Sequence, residues 1–245
     1  MPDLPDISRE RYDAVLFDLD GVLTSTASLH ARAWKEAFDG LLRDRFPEQP
    51  PFDSDHDYER YVDGKPREDG VRDFLASRNI HPPEGGPGDP PDAFTIHGIG
   101  QRKQALVERE LARGGVQAYP GSVRWVEQLR EGGVRTAVVS SSANAVAVLE
   151  ACGIRDLFEE VVDGNAVTEL HLHGKPAPDQ FLEGARRLGA ALERTVVVED
   201  ALAGVAAGRA GRFGLVLGVA RNAEPEELLA SGADAVVHDL SELVT

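Results

Sequence analysis

Cysteine is nearly absent from this chain of 245 residues, and methionine and tryptophan are scarce. Cys152 is the only cysteine, so no disulfide can form within the chain. No apolar run approaches the roughly 20 residues of a membrane-spanning helix. The opening stretch MPDLPDISRERYD is acidic and polar, without the apolar segment of a secretory signal. We therefore expect a cytoplasmic protein without a membrane partner.

Positive charge is also in short supply. The chain has 26 Lys and Arg residues against 42 Asp and Glu residues, which gives a formal net charge of −16 at pH 7. Nucleic acids and anionic membranes attract basic surfaces, so this balance argues against both as partners. A phosphate-binding site in this chain must therefore be positive only locally.

Short valine-rich runs recur through the second half of the chain. Runs over 136–140, 195–200, 214–219 and 234–239, together with AVLFD at 14–18, read as strands, and segments with helical apolar spacing separate them. Continuous apolar strands separated by helices indicate a parallel sheet with helices on both faces. The sequence predicts an α/β fold whose core is a doubly wound, Rossmann-like parallel sheet.

Residues 25–115 interrupt this alternation. Their periodic segments all have helical spacing, and none reads as a strand. The stretch HPPEGGPGDPPD at 81–92 is predicted to be a surface loop, because proline lacks a backbone N–H and glycine costs backbone entropy. We predict a core domain built from residues 1–24 and 116–245 and a helical insert over residues 25–115.

Polar groups follow the predicted strands or the loops after them. In chain order they are Asp18-Leu19-Asp20-Gly21, Ser140-Ser141-Ser142-Ala143-Asn144, Gly174-Lys175-Pro176 and Glu199-Asp200. Open parallel sheets bind their ligands beyond the carboxyl ends of the strands. Each group alone also fits a helix cap, a turn or a solvated charge. The ordered set predicts a single site.

The residue types in this set suit phosphoryl transfer. Clustered carboxylates repel one another, and hard oxygen ligands suit Mg²⁺, which Asp18 and Asp200 would hold with Glu199 as a further candidate. Asp18, held rigidly at a strand end, is the predicted nucleophile that forms an aspartyl-phosphate. Asp20 is the predicted general acid and then general base. Ser140 and Lys175 would donate to the phosphoryl oxygens.

The segments DLDGVLT, VVSSS, GKPAPD and VVVEDALAGV resemble, in this order, the motifs of the haloacid dehalogenase superfamily of phosphotransferases. The resemblance covers nearly the whole chain. It implies that the main-chain carbonyl of Asp20 also binds Mg²⁺ and that the insert is a helical cap domain. Aspartate at both positions of the first motif separates the chain from the dehalogenases and phosphonate hydrolases of the superfamily.

Within the insert, TSTASLHARAWKEAF, DGKPRED and GIGQRKQ are similar to the cap of the β-phosphoglucomutase subgroup. The resemblance implies that His30 and Thr26 act around Asp20, that Gly64 and Arg67 hold a distal phosphate, and that Arg102 or Lys103 contacts the substrate. The residues predicted to bind substrate are Thr26, His30, Trp34, Gly64, Arg67, Arg102, Lys103, Ser141, Ser142 and Asn144. Taken singly, His30 and Trp34 also fit helix packing, and the charged residues also fit a solvated surface.

The chain departs from the subgroup at two positions. Ala143 stands where many mutases have lysine, and Asp63 precedes Gly64 where a basic residue is common. Both changes weaken phosphate binding by charge. The favoured hypothesis is a mutase that interconverts β-glucose 1-phosphate and glucose 6-phosphate through β-glucose 1,6-bisphosphate.

Two other functions stay open. The same nucleophile would serve a sugar-phosphate phosphatase, in which water is the acceptor. A non-catalytic sugar-phosphate-binding protein is disfavoured, because every motif position carries a residue competent for the chemistry. In each case we expect a small-molecule sugar phosphate as the partner and a monomeric protein.

A pair of histidines lies just before the motif lysine. His171 and His173, in ELHLHGKP, would lie on one face of an extended segment. A zinc site would need further ligands, which the neighbouring sequence lacks. We therefore predict a hairpin or linking strand that leads to Lys175.

Overall fold

The computed structural model describes residues 4–114, 116–221 and 223–245. The chain divides into two compact units. The core unit is formed by the residues up to Ser25 together with Val116–Thr245. The inserted unit is Thr26–Gly115.

The core unit is built on a parallel sheet. Its strands are β1 (Ala14–Phe17), β2 (Arg135–Val139), β3 (Glu160–Val162), β4 (Thr195–Glu199), β5 (Leu215–Val219) and β6 (Ala235–Val237). Their order across the sheet is β3-β2-β1-β4-β5-β6, and every pair of neighbours is parallel. This is the doubly wound order, with its switch point at β1 and β4. The predicted α/β fold class is confirmed.

Helices connect the strands and form the inserted unit. They are α1 (Ala27–Arg45), α2 (Arg67–Ser77), α3 (Ile96–Ala112), α4 (Pro120–Glu131), α5 (Ala145–Ala151), α6 (Gly164–Glu169), α7 (Asp179–Leu188), α8 (Leu202–Ala210) and α9 (Pro225–Ser231). Short π or 3₁₀ turns lie at Tyr58–Val62, Arg155–Leu157, Leu192–Arg194 and Leu240–Leu243. No helix in the described part of the chain is long and apolar enough to cross a bilayer.

The central strand β1 is buried on both faces. All its residues are fully buried, as expected for a strand covered by helices on each side. Leu16 joins a cluster with Phe181 and Leu188 of α7. Phe17 meets Trp125 of α4 edge to face, with ring centroids 5.6 Å apart. This packing fixes the direction in which the chain leaves β1.

The structure corrects two sequence predictions. β3 was not predicted, because its three residues include Glu160 and form no apolar run. The strand predicted at His171 and His173 is wrong: the chain turns after α6, and His171 has a left-handed φ of 54° that interrupts any extended segment. His173 instead binds Asp179 at the start of α7, through its backbone N–H (3.0 Å) and its ring Nδ1 (2.9 Å).

The inserted unit has a core of its own. Trp34 and Phe38 of α1 stack with ring centroids 5.0 Å apart, and the ring centroids of Phe38 and Phe74 of α2 are 4.2 Å apart. No strand occurs in the described residues of this unit. The proline-rich stretch 81–92 has no helix or strand, as predicted.

Glu183 ties α7 to the edge of the sheet. Its carboxylate accepts hydrogen bonds from Arg186 (2.6 and 2.8 Å) and Arg187 (2.7 Å). Arg187 also donates to the carbonyl of Val161 in β3 at 3.0 Å. The hydrogen bonds from Arg186, opposed by burial and joined by those from Arg187, lower the pKa of Glu183 to about 2.

We expect Glu183→Gln to lower the free energy of unfolding at pH 7 by about 1–2 kcal/mol. The loss is smaller than the pKa shift alone implies, because Arg186 is mostly exposed. Because the pKa of Glu183 is lower in the folded protein, its ionised carboxylate stabilises the fold at pH values above its ordinary pKa of 4.5. This contribution is lost as the pH falls toward about 2. Denaturant titrations between pH 7 and pH 3 should therefore show the two proteins converging. A gap that stays constant with pH would contradict the assignment, and Glu226→Gln, an exposed change on α9, is the control.

Candidate active site

Asp18 follows β1 at the carboxyl edge of the sheet. Its backbone N–H donates to the carbonyl of Val198 at 2.9 Å, so the ladder with β4 continues one residue beyond β1. β1 lies between β2 and β4, which carry the second and fourth motifs at their ends. The Asp18 carboxylate is therefore held by a central strand, and only 6% of the residue is exposed.

Lys175 joins the ends of three strands. Its ammonium Nζ lies 2.6 Å from Asp18 Oδ1, 2.6 Å from Glu199 Oε1 and 3.3 Å from the carbonyl of Val139. The side chain is fully buried, and Nζ lies 4.9 Å from the centroid of the Phe181 ring. Each ammonium proton has an acceptor, so the charge is satisfied although it is removed from water.

Opposite charges and burial compete in this cluster. Burial alone would lower the pKa of Lys175, but the carboxylates of Asp18 and Glu199 outweigh it and raise that pKa above its ordinary value. Burial raises the pKa of Asp18 well above its ordinary value. Lys175 opposes that rise, whereas the negative charges of Glu199 and Asp20 add to it. Lys175 is therefore held charged. Its single positive charge is smaller than the negative charge that the neighbouring carboxylates carry.

Glu199 is occupied on both carboxylate oxygens. Oε1 accepts from Lys175, and Oε2 accepts the backbone N–H of Ala201 at 2.8 Å. A Cβ at Gly204 in α8 would lie 1.7 Å from Oε1, so only glycine fits there. This arrangement differs from the expectation that Glu199 is a metal ligand. Gly204 was not among the residues predicted from the sequence, although glycine, which lacks a Cβ, is the residue that allows such close approach.

Asp200 packs against the turn that carries Asp20. A Cβ on Gly21 would lie 1.9 Å from Asp200 Oδ2, and Gly21 has a left-handed φ of 87°. The Gly21 N–H donates to the carbonyl of Thr24 at 2.9 Å, which closes the turn. In the part of the chain that the structure describes, no group of three or more His, Cys, Asp or Glu side chains is close enough to hold a metal ion. The assignment of Asp18, Asp20 and Asp200 as metal ligands stays a prediction.

The serine loop after β2 is held by its own side chains. Ser140 Oγ accepts the backbone N–H of Ser142 at 3.0 Å, and Ser142 Oγ accepts that of Asn144 at 3.2 Å. Ser141 Oγ donates to Gln180 Oε1 of α7 at 3.3 Å. Ser140 is 1% exposed. The loop thus forms a compact turn beside the strand that ends in Asp18.

Within the inserted unit, the structure brings His30, Lys103 and Trp34 together. Lys103 Nζ lies 2.8 Å from His30 Nδ1 and 5.0 Å from the centroid of the Trp34 ring. An ammonium group has no lone pair, so Lys103 donates in this contact. The His30 backbone N–H donates to the carbonyl of Thr26. Thr26 is the residue that precedes α1 and is fully buried.

Arg67 is held by its neighbours at the start of α2. Its Nε and Nη2 donate to Glu68 Oε1 at 2.9 and 2.7 Å, and its Nη1 donates to Gln104 Oε1 of α3 at 3.4 Å. Gly64 has a left-handed φ of 69°, which fits glycine in the turn before α2. The guanidinium is therefore oriented before any ligand binds.

The two alternatives on α3 have different surroundings. Arg102 Nε donates to the carbonyl of Pro91 at 3.0 Å and so holds the proline-rich loop. Lys103 is 7% exposed and faces His30. Of the two, only Lys103 lies beside another predicted site residue.

The chain is similar to known proteins over nearly its whole length. The family model of haloacid dehalogenase-like hydrolases matches residues 12–212. The chain is 49% identical over 242 residues to a β-phosphoglucomutase of Mycobacterium bovis, covering 96% of this chain and 92% of that protein. It is 30% identical over 238 residues to a β-phosphoglucomutase of Bacillus subtilis, covering 94% and 91%.

A solved structure shows the same fold over nearly the full length. CbbY from Rhodobacter sphaeroides in complex with phosphate superposes with a TM-score of 0.72 at 26% identity, covering 95% of this chain and 96% of that chain. A mutant of CbbY has been solved in complex with xylulose-(1,5)bisphosphate. The chain therefore belongs to the haloacid dehalogenase-like hydrolase family, in its β-phosphoglucomutase-like subgroup, and is an enzyme of phosphotransferase or phosphatase type.

Proposed function

We propose that the enzyme interconverts β-glucose 1-phosphate and glucose 6-phosphate through β-glucose 1,6-bisphosphate and an aspartyl-phosphate. The observation that carries this proposal is the hydrogen-bonded cluster of Lys175, Asp18 and Glu199 at the carboxyl edge of the sheet. It orients one carboxylate for attack and provides a positive charge beside it. The identity with the Mycobacterium bovis β-phosphoglucomutase supports the choice of substrate.

The two aspartates divide the work. An oxygen of Asp18 forms a bond to phosphorus while the bond between phosphorus and the sugar oxygen breaks, and its electron pair leaves on that oxygen. Asp20, protonated, gives its proton to the departing oxygen. In the reverse half-reaction a sugar hydroxyl attacks phosphorus, Asp20 takes the hydroxyl proton, and Asp18 is released as a carboxylate.

The residues around Asp18 suit a magnesium ion. Asp18 and Asp200 offer carboxylate oxygens, and the main-chain carbonyl of Asp20 would complete a hard donor set with waters. The fit rests on the close packing of Asp200 against Gly21 and on the surroundings of Asp18, where burial raises the pKa of the carboxyl and the charges of Glu199 and Asp20 add to the rise. When bound, Mg²⁺ would neutralise that charge and polarise the phosphoryl group. We assign Glu199 to hold Lys175 instead of the metal.

The remaining predicted residues are assigned to substrate. Ser140 and Lys175 would donate to the transferring phosphoryl group. Backbone groups of Ser141, Ser142 and Asn144, in the same loop as Ser140, would bind it as well. In the inserted unit, which we propose is the cap domain, Arg67 would exchange its contact with Glu68 for the distal phosphate. The further cap residues proposed to bind substrate are Thr26, His30, Trp34, Gly64, Arg102 and Lys103.

A phosphatase is the second candidate. Ala143 provides no cation in the serine loop, and its carbonyl accepts from Asn165 Nδ2 at 3.0 Å. A mutase must retain a bisphosphate between its half-reactions, whereas a phosphatase only has to admit water to the aspartyl-phosphate. The missing lysine and the acidic Asp63 favour the second behaviour.

One assay separates the two candidates. We expect glucose 6-phosphate to form from β-glucose 1-phosphate, with the rate stimulated by added β-glucose 1,6-bisphosphate. Coupled detection of glucose 6-phosphate and of inorganic phosphate in the same reactions measures the partition. Phosphate release that dominates at every bisphosphate concentration would replace the mutase by the phosphatase.

Asp18→Asn should lower turnover by at least about 10³-fold, because the amide cannot attack phosphorus. The fold should remain, since the change is isosteric and removes a carboxylate that burial disfavours. Turnover, thermal unfolding and intact mass after exposure to a phosphoryl donor are the measurements. Asp13→Asn, just before β1 and paired with Arg194 at 2.9 Å, is the matched control and should keep its activity. Near-normal turnover of Asp18→Asn would remove it as nucleophile.

Arg67→Ala should raise the KM for β-glucose 1-phosphate by about 10–100-fold, because it removes a charge-assisted contact to a phosphate. Phosphorylation by acetyl phosphate, which has no distal phosphate, should change little. Arg72→Ala, on the same helix and paired with Asp69 and Glu84, is the control. An equal loss with both donors would place Arg67 outside the distal phosphate site.

A further inference from the structure

The turn that carries Asp20 is closed by backbone hydrogen bonds. The N–H groups of Leu23 and Thr24 both donate to the carbonyl of Leu19 at 3.0 Å, and the Gly21 N–H donates to the carbonyl of Thr24 at 2.9 Å. None of these bonds fixes the turn against the rest of the core unit. Its direction therefore depends on what packs against it.

The segment that enters α4 supplies that support. The backbone N–H of Tyr119 donates to the carbonyl of Leu23 at 2.9 Å. Ser122 Oγ donates to the carbonyl of Val22 at 2.7 Å, in a fully buried contact. The turn is thus attached to residues about 100 positions later in the chain.

Arg221 holds Tyr119 from the other side. Its guanidinium carbon lies 3.6 Å from the centroid of the Tyr119 ring, a close cation–π contact. Its Nη2 donates to Asp239 Oδ2 at 2.7 Å, and Asp239 Oδ1 accepts the N–H of Ser241 at 2.8 Å. A Cβ on Gly121 would approach Asp239 Oδ1 too closely, so Asp239 also packs against the start of α4.

This placement is costly for an arginine. Its side chain is mostly buried, and its Nε has no acceptor among the described residues. Arg221 follows β5 at the same edge of the sheet as the candidate site. Burial raises the pKa of Tyr119, Arg221 opposes the rise, and the charges of Asp200 and Asp239 add to it.

We propose that Arg221, clamped by Asp239 and stacked on Tyr119, is a positioning residue that fixes the turn bearing Asp20 for proton transfer. The inference rests on the proposed role of Asp20 as general acid and base. Arg221 itself touches neither substrate nor phosphate in this proposal. In the phosphorylation of Asp18, its loss should therefore slow only the donors whose leaving oxygen needs a proton.

The test uses two phosphoryl donors that differ in this need. The sugar oxygen of β-glucose 1-phosphate is a poor leaving group and requires protonation, whereas p-nitrophenolate leaves from p-nitrophenyl phosphate without it. We expect Arg221→Met to slow phosphoryl transfer from the sugar phosphate to Asp18, measured in a single turnover, by about 10–100-fold and to change the single-turnover burst of p-nitrophenolate by less than about twofold. Loss of fold would lower both rates, so thermal unfolding is measured in parallel.

Companion variants keep the test independent of folding. Tyr119→Leu removes the ring and should show the same selective loss as Arg221→Met. Tyr119→Phe keeps the ring and should restore the ratio of the two rates found in the unchanged protein. Arg209→Met, which breaks an exposed pair with Asp234 on the same unit, is the matched arginine control.

Asp20→Asn separates the two ways of failing. If Asp20→Asn is selective for the sugar phosphate but Arg221→Met lowers both rates equally or neither, the positioning role is overturned and the proposed function stands. If Asp20→Asn itself lowers both rates equally, the acid role of Asp20 fails and the inference fails with it. Equal behaviour of Tyr119→Phe and Tyr119→Leu would also overturn the stacking argument.

Discussion

The buried ammonium of Lys175 is the interaction on which the rest of the core site depends. Removing it from water is unfavourable, and Asp18, Glu199 and the carbonyl of Val139 together offset that cost. Each of these groups comes from a different strand end, so the contact aligns β1, β2 and β4 at one edge. Truncating Lys175 would leave the carboxylates of Asp18 and Glu199 buried without their counter-charge, a loss that typically costs about 3–5 kcal/mol.

Glycine and the order of the strands make that contact possible. Gly204 lets α8 begin directly over the Glu199 carboxylate. Gly21 lets the turn after β1 pass directly over the Asp200 carboxylate. Glu199 is thereby held against the backbone of α8, and Asp200 against the turn that follows β1. The fold thus places negative charge densely around Asp18 and supplies one lysine to it, an imbalance that a divalent cation would correct.

The sequence predicted the sheet and the meeting of the motifs well, because parallel strands gather their carboxyl ends at one edge whatever the loops do. It failed where the answer depended on single contacts. β3 is too short to show a pattern, and the histidine pair took a left-handed turn that alternation cannot reveal. The second oxygen of Glu199 binds a backbone N–H two residues later, which residue types alone do not specify. For the same reason the stacking of Arg221 on Tyr119 left no signal in the sequence.

The two aspartates differ in how their backbones are held, and this difference suits their proposed tasks. Asp18 continues a central ladder, so its carboxylate is as rigid as the sheet. Asp20 lies two residues later on a small turn that is closed by its own hydrogen bonds and attached by Tyr119 and Ser122 to the start of α4, so its orientation depends on that segment. A nucleophile has to stay in line with phosphorus, whereas a proton carrier has to meet both a leaving and an attacking oxygen. The unfavourable burial of Arg221 against Tyr119 fits its proposed positioning role, because a general acid must be held in a defined direction.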